Sequence, residues 1–138
     1  MDKKKIAIGT VVGFVVLYAL GIAFWGILFE DFFAANEGSA TGVDRETPIL
    51  WAMILGTLFY AKAISLALDS RGSTSLMDGA VVGATIGILL WGTVDFILFG
   101  LTNLNTLTGA IADIVLEGVR AGIAGAVVAF VGSKMGSG

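Results

Sequence analysis

Cysteine and histidine are both absent from this sequence of 138 residues. The lack of cysteine excludes disulfide bonds and thiol redox chemistry. The lack of both residue types excludes the usual zinc sites, His-ligated haem and Ser-His or Cys-His catalysis. We therefore expect a protein that is not an enzyme and that holds neither a metal nor a cofactor.

Charge is also scarce, since only 14% of the residues are charged, against about 25% in soluble domains. Hydrophobic residues make up 57% of the chain, and the mean hydropathy is +0.94. The eight basic residues are too few and too dispersed to form a phosphate-binding stripe, which argues against nucleic acid as a partner. This composition predicts an integral membrane protein whose main partner is the lipid bilayer.

Four segments are long and apolar enough to cross a bilayer as helices of about 20 residues. Backbone groups in hydrocarbon must be satisfied within the segment, and no alternating pattern indicates a barrel, so the predicted fold class is all-α. We predict one four-helix transmembrane domain over 1–135, followed by a flexible tail or tag remnant at 136–138. The predicted spans are about 6–29, 49–68, 79–99 and 110–131.

Local chemistry marks three of the predicted helix starts. Thr47 precedes Pro48, which suits an N-cap followed by proline at the first helical position. Ser75 lies three residues before Asp78 and resembles a capping box. Thr108 is the predicted cap of the last helix.

The basic residues predict the orientation of the chain. Cytoplasmic loops carry an excess of Lys and Arg, and all but one of the basic residues outside the spans fall on the amino-terminal side. We therefore expect both termini to be cytoplasmic, in the inner membrane of a bacterium or archaeon. The tryptophans in the outer halves of their spans, Trp25, Trp51 and Trp91, are interpreted as part of an interfacial belt.

An internal repeat emerges when the chain is shifted by 66 residues, which aligns 13–26 with 79–92. Seven of these fourteen positions are identical, whereas chance predicts about one or two. Because a unit of two spans returns to the same side, the two hairpins should be parallel tandem copies related by a pseudo-two-fold axis along the membrane normal.

Small residues recur four positions apart on three of the predicted helices, so each set forms a strip on one face. Small strips allow close helix packing, which matters because lipid provides no hydrophobic drive for association. We expect the strips to pack within the bundle, and the alternative use of one strip is a dimer interface. Because so small a bundle has little room to enclose a path alone, we also expect a homo-oligomer or a partner membrane subunit. The strips are Gly9 and Gly13, then Gly79, Gly83 and Gly87, then Gly118, Gly122 and Ala126.

Five ionisable residues lie within the predicted spans, where each costs about 2.5 to 3.5 kcal/mol unless it faces protein or water. Lys62 is near one helix end and is expected to snorkel. Asp113, Glu117 and Arg120 stand at i, i+4 and i+7, so they share a face that should point into the bundle with Asp95 of the preceding span. Asp113 also suits the amino end of its helix, where the dipole favours a carboxylate.

Two interpretations of Asp95, Glu117 and Arg120 remain open. The first is a closed ion-pair lock that holds the last two helices in register. The second is a polar cavity in which the carboxylates, Asp113 included, bind a cation or exchange a proton while Arg120 tunes them or holds an anionic solute. The repeat places Glu30 and Asp31 level with the end of the third span, so they are expected to form an outer acidic rim beside Asp95.

Six short motifs run in order along nearly the whole chain, at 25–33 (WGILFEDFF), 59–60 (FY), 79–83 (GAVVG), 92–95 (GTVD), 101–107 (LTNLNTL) and 113 (D). Together they resemble the small four-span bacterial membrane family catalogued as domain of unknown function 2177 and, more loosely, its relative 1761. The resemblance implies that Asp95, Thr102, Asn103 and Asp113 correspond to that family's pattern. The resemblance implies a four-span fold and its topology, and it does not indicate an activity.

Two functions follow as hypotheses. The first is transport-like handling of a cation, a proton or a small polar solute at the intramembrane cluster. The second is a non-catalytic accessory or assembly subunit of a membrane complex. An intramembrane aspartyl protease is disfavoured because Asp95 and Asp113 lack the neighbouring motifs of such enzymes.

Overall fold

The computed structural model describes residues 1–136, and residues 137 and 138 of the predicted tail lie outside the described residues. The described chain is helical and contains no strand, which confirms the predicted all-α class. Helix α1 runs straight into a π-helical segment. The bounds are α1 Lys3–Ala23, the π-helical segment Phe24–Leu28, α2 Glu30–Ala35, α3 Leu50–Arg71, α4 Leu76–Leu101 and α5 Leu107–Lys134.

Four of these helical stretches are long and apolar enough to cross a membrane, and they define a multi-pass membrane protein. Their large apolar side chains face outward; Val11, Leu89 and Val115 are all exposed. The interior is built from smaller residues, with Leu17 and Ile64 as its largest fully buried side chains. The helices extend past most of the predicted boundaries because the helical backbone continues through polar flanking residues.

The predicted cap at Ser75 is confirmed, because its Oγ accepts a hydrogen bond from the backbone N–H of Asp78 at 3.0 Å. The predicted start of the second span at Thr47 is wrong. Helix α3 begins at Leu50 after an extended Ile49, and Pro48 lies in the preceding loop.

The cap of α5 is Thr106, and the predicted cap at Thr108 is wrong. Thr106 Oγ1 accepts from the backbone N–H of Gly109 at 3.1 Å and donates to the carbonyl oxygen of Asn36 at 2.9 Å. The bond to Asn36 joins two loops that are distant in sequence. Thr106 therefore caps the helix in place of Thr108 because of a tertiary contact.

The four long helices form two hairpins, α1 with α3 and α4 with α5. Helix α5 lies at the centre, contacts the other three long helices and is the most buried of the four spans. Helices α3 and α4 make limited contact, similar in extent to that between α3 and α5, and a lateral groove opens between the hairpins. Both chain ends lie at the same end of the bundle, called here the terminal end, where the backbone N–H of Asp2 donates to Asp69.

The closest helix pair is α4 with α5, and glycine makes this approach possible. A Cβ atom on Gly83 would collide with the carbonyl oxygen of Ala121, and one on Gly79 would collide with that of Gly125. The predicted strip on α4 therefore packs within the bundle. On α5 the facing residues are Ala121 and Gly125, whereas Gly118 and Gly122 line an apolar groove at the edge of the same helix pair.

The opposite end of the bundle, called the distal end, is covered by two connected loops. The backbone N–H groups of Gly38 and Ala40 donate to the carbonyls of Leu104 and Asn103, each at 3.0 Å. The loop after α2 is thereby tied to the turn between α4 and α5. This contact closes the distal end over the helices that carry the buried charges.

We predict that Gly83→Ala lowers the free energy of unfolding by about 1–3 kcal/mol, the usual cost of overpacking. The added methyl group would meet backbone atoms of α5, which can yield only if the two helices separate. The measurement is denaturant unfolding in detergent followed by circular dichroism. Gly92→Ala is the matched control on the same helix, because nothing lies within 4 Å of a Cβ there. Equal stability of the two variants would contradict the close packing.

Candidate functional site

Helix α5 turns its charged face into the bundle. Glu117 is 3% exposed and Arg120 is 9% exposed, and both lie near the middle of the helix. Asp113 lies one turn closer to the distal end and is half-buried. Asp95 approaches from α4 and is 6% exposed. Four residues predicted from the sequence are therefore gathered in one region, which we call the charge cluster.

Glu117 and Arg120 form an ion pair, with 2.9 Å between Arg120 Nη1 and Glu117 Oε1. Arg120 Nε also donates to the carbonyl oxygen of Leu17 on α1 at 2.8 Å. The hydroxyl of Tyr60 on α3 donates to the other oxygen of Glu117 at 3.1 Å. Both oxygens of the buried glutamate are thus satisfied, and the pair links three helices.

Aromatic rings and a glycine shape the space around the guanidinium. Arg120 lies 5.4 Å from the ring centroid of Trp25 and 5.8 Å from that of Tyr60, distances suited to cation–π attraction. A Cβ on Gly21 would lie only 2.8 Å from Arg120 Nη2. Glycine at this position therefore lets α1 approach the charge.

Asp113 is held by α1. The indole N–H of Trp25 donates to Asp113 Oδ1 at 2.8 Å. Trp25 lies in the π-helical segment, where the backbone N–H of Phe29 donates to the carbonyl of Phe24 five residues back. Such a segment widens a helix locally and shifts the direction of its side chains, and it is frequent at functional sites.

Asp95 has no such partner. Its carboxyl group lies beside that of Asp113, and Glu117 is within electrostatic range. Its Oδ2 atom is buried and makes no hydrogen bond with residues 1–136. Arg120 pairs with Glu117 and does not form an ion pair with Asp95. The charge cluster therefore combines an ion pair with one aspartate, Asp95, whose buried Oδ2 atom has no hydrogen-bond partner.

Three other charged residues considered from the sequence lie apart from this pairing. Glu30 and Asp31, predicted as an outer acidic rim, begin α2 and are exposed, without a hydrogen bond or ion pair from their side chains in the described chain. Lys62 is exposed on α3 and makes no ion pair there either.

Sequence reasoning missed Tyr60, Trp25 and the Leu17 carbonyl as partners of the charges. A tyrosine in the middle of a span was the available signal, because a buried phenol usually finds a hydrogen-bond partner. Trp25 was interpreted as interfacial, and its donation to Asp113 depends on the π-helical segment. A backbone carbonyl inside a regular helix has no sequence signal.

A groove of about 330 Å³ opens laterally between α3 and α4 and reaches the charge cluster. Arg120 contributes to its lining, together with Tyr60 and Trp91, whose ring centroids are 6.4 Å apart. Thr57 and Leu90 border the same space. The cluster is therefore paired on its α1 side, and Arg120 borders the groove on its α3–α4 side.

The described residues contain no group of three or more His, Cys, Asp or Glu side chains arranged to hold a metal ion. No family model, curated protein or solved structure matches the chain. The resemblance to the four-span family remains a prediction. The chemistry that the arrangement itself offers is the binding of positive charge by carboxyl groups.

We predict that Arg120→Met lowers the free energy of unfolding by about 3–5 kcal/mol, because it leaves the buried Glu117 charge without its partner. Lys62→Met removes an exposed, unpaired charge from α3 and should change stability little. The free energies of unfolding of the two variants are measured by denaturant titration in detergent.

The double variant Glu117→Met with Arg120→Met should recover part of the loss, since it removes both charges together. Equal stability of Arg120→Met and Lys62→Met would mean that the ion pair contributes nothing to the fold.

Proposed function

We propose that this protein takes up and exchanges a proton or a small monovalent cation at the charge cluster, in a transport-like role across the membrane. Three carboxyl groups, those of Asp95, Asp113 and Glu117, lie in the same cluster as the single guanidinium of Arg120. Only Glu117 is neutralised by an ion pair. Burying an unpaired carboxylate is costly, so the region favours binding of positive charge.

The observation that carries the proposal is the buried Oδ2 atom of Asp95, which has no hydrogen-bond partner. Native proteins satisfy nearly all such atoms, and an exception calls for a proton, an ion or water. A proton fits best, because a carboxyl–carboxyl contact between Asp95 and Asp113 becomes a hydrogen bond once one of them is protonated. A metal ion would need more ligands than the described residues assemble.

A small anionic solute is a weaker candidate for the same site. Arg120 already donates to Glu117 and to the carbonyl of Leu17. Its charge is therefore engaged, and an incoming anion would also face the carboxylates of Asp95 and Asp113. The proposal accordingly centres on positive charge.

We also propose that the protein lies in the membrane with both termini on the cytoplasmic side. Basic residues at the terminal end support cytoplasmic termini, in the inner membrane of a bacterium or archaeon. The α3–α4 groove leaves Arg120 accessible from the side at mid-depth. This opening supports assembly as a homo-oligomer or with a partner membrane subunit that covers it.

The test is proton flux into liposomes that contain the purified protein, measured with an internal pH-sensitive dye after a pH jump. We expect Asp95→Asn and Glu117→Gln to reduce the flux to the level of protein-free vesicles. Asp44→Asn and Glu46→Gln are matched controls in the exposed loop before α3 and should retain the flux.

Circular dichroism and size-exclusion elution of each variant serve as checks of folding. Replacing the pH jump with a sodium or potassium gradient distinguishes a proton from a monovalent cation. If the folded wild-type protein moves neither protons nor these cations above the protein-free level, the transport proposal fails.

An accessory or assembly subunit is the second candidate, and one observation favours it. The Glu117–Arg120 pair is fully bonded to α1 and α3, which is the arrangement expected of a structural lock. In that case, Glu117→Gln would impair assembly in native gels, and Asp95→Asn, which breaks no ion pair, would leave assembly intact.

A further inference from the structure

Two buried polar atoms on α4 lack partners, and they lie one helical turn apart. They are Nε1 of Trp91, a donor, and Oδ2 of Asp95, an acceptor. Residues four apart share a face of a helix, so the two side chains are neighbours. Leaving either atom unsatisfied costs free energy, and a hydrogen bond between them would remove both costs.

The same type of contact is already formed elsewhere in the cluster. Trp25 donates its indole N–H to Asp113 at 2.8 Å. Trp25 and Trp91 also occupy equivalent positions in the predicted repeat. The chain thus contains two tryptophan–aspartate pairs, of which one is bonded and the other is open.

The open pair lies beside the α3–α4 groove. The Trp91 ring borders this groove, its centroid lies 6.4 Å from that of Tyr60, and its Nε1 atom is buried. Asp95 forms no ion pair in the described residues, so no such contact has to break when a change of side-chain rotamer brings donor and acceptor together.

We propose that Trp91 is a positioning residue that donates its indole N–H to the Asp95 carboxylate whenever Asp95 has released its proton. This inference rests on the proposed proton exchange at Asp95. In the protonated form, Asp95 donates to Asp113, and the indole N–H stays unpaired. The indole N–H of Trp91 has no partner in the structure, as this form requires. In the deprotonated form, Asp95 turns to the indole.

Electrostatic repulsion favours the movement of a deprotonated Asp95 away from Asp113 and toward Trp91. The groups that face Asp95 are Asp113 and Glu117 of α5, and Arg120 and Tyr60 lie beyond them, bonded to Glu117. From α1, Trp25 is bonded to Asp113 and has no N–H left to donate. A charged Asp95 is therefore repelled by its carboxylate neighbours, and Trp91 is the nearby donor without a partner.

The test uses the indole resonances of 15N-labelled protein in lipid nanodiscs during a pH titration. The chain has three tryptophans, so each signal can be assigned with Trp→Phe variants. We expect the Trp91 indole proton to move downfield as Asp95 is deprotonated. The signal of Trp51, which is 70% exposed at the distal end of α3, is the control and should stay constant.

Asp95→Asn should abolish the shift of the Trp91 signal. In the liposome assay, Trp91→Phe should slow proton uptake by about tenfold, the equivalent of one hydrogen bond to a charged group, whereas Trp51→Phe should not. A Trp91 signal that does not move with pH in the wild-type protein, or that still moves in Asp95→Asn, overturns the inference.

The two proposals fail in different ways. Flux in the wild-type protein together with an invariant Trp91 signal would leave proton transport standing and remove the role of Trp91. An Asp95-dependent shift without flux would support the Trp91 contact and remove transport.

Discussion

The buried ion pair between Glu117 and Arg120 is the interaction on which the interior of this bundle depends. A guanidinium at mid-depth in a membrane protein must be neutralised and bonded by protein. Arg120 meets this requirement through Glu117 and through the carbonyl of Leu17, while Tyr60 satisfies the remaining oxygen of the glutamate. The contacts reach α1 and α3 from α5, so a single charge pair sets the relative register of three helices.

Small residues make these polar contacts reachable. Gly21 lets α1 approach the guanidinium, and Gly87 leaves space beside the Tyr60 hydroxyl, which would lie 2.9 Å from a Cβ there. These two glycines are aligned by the predicted repeat. In a bilayer, where apolar surface gains nothing from association, such close contacts and buried hydrogen bonds supply the cohesion of the bundle.

The residues of the charge cluster differ in how many hydrogen-bond partners they have, and this difference is the basis of the functional proposal. Toward mid-depth, both oxygens of Glu117 have partners, and Arg120 donates to Glu117 and to the carbonyl of Leu17. Toward the distal end, Asp113 has one bond from Trp25, and Asp95 has an oxygen with none. A structural lock does not need such an atom, whereas a site that exchanges a proton requires a group whose bonding changes with its charge. Trp91, unpaired on the same face of α4, is suited to that change.

Hydropathy and the i, i+4, i+7 spacing are properties of a single helix. The membrane environment, the four helices and the inward direction of the charges on α5 could therefore be predicted from the amino-acid pattern alone. This pattern also predicted Ser75 as a cap for the same local reason. Other features became visible only in the folded chain. Arg120 pairs with Glu117 and leaves Asp95 beside Asp113, Thr106 caps α5, and Trp25, predicted to be interfacial, donates to Asp113. Each of these contacts depends on how far apart two helices or loops lie. That distance follows from packing, from the placement of glycines and from the π-helical segment, and the residue pattern along one helix does not encode it.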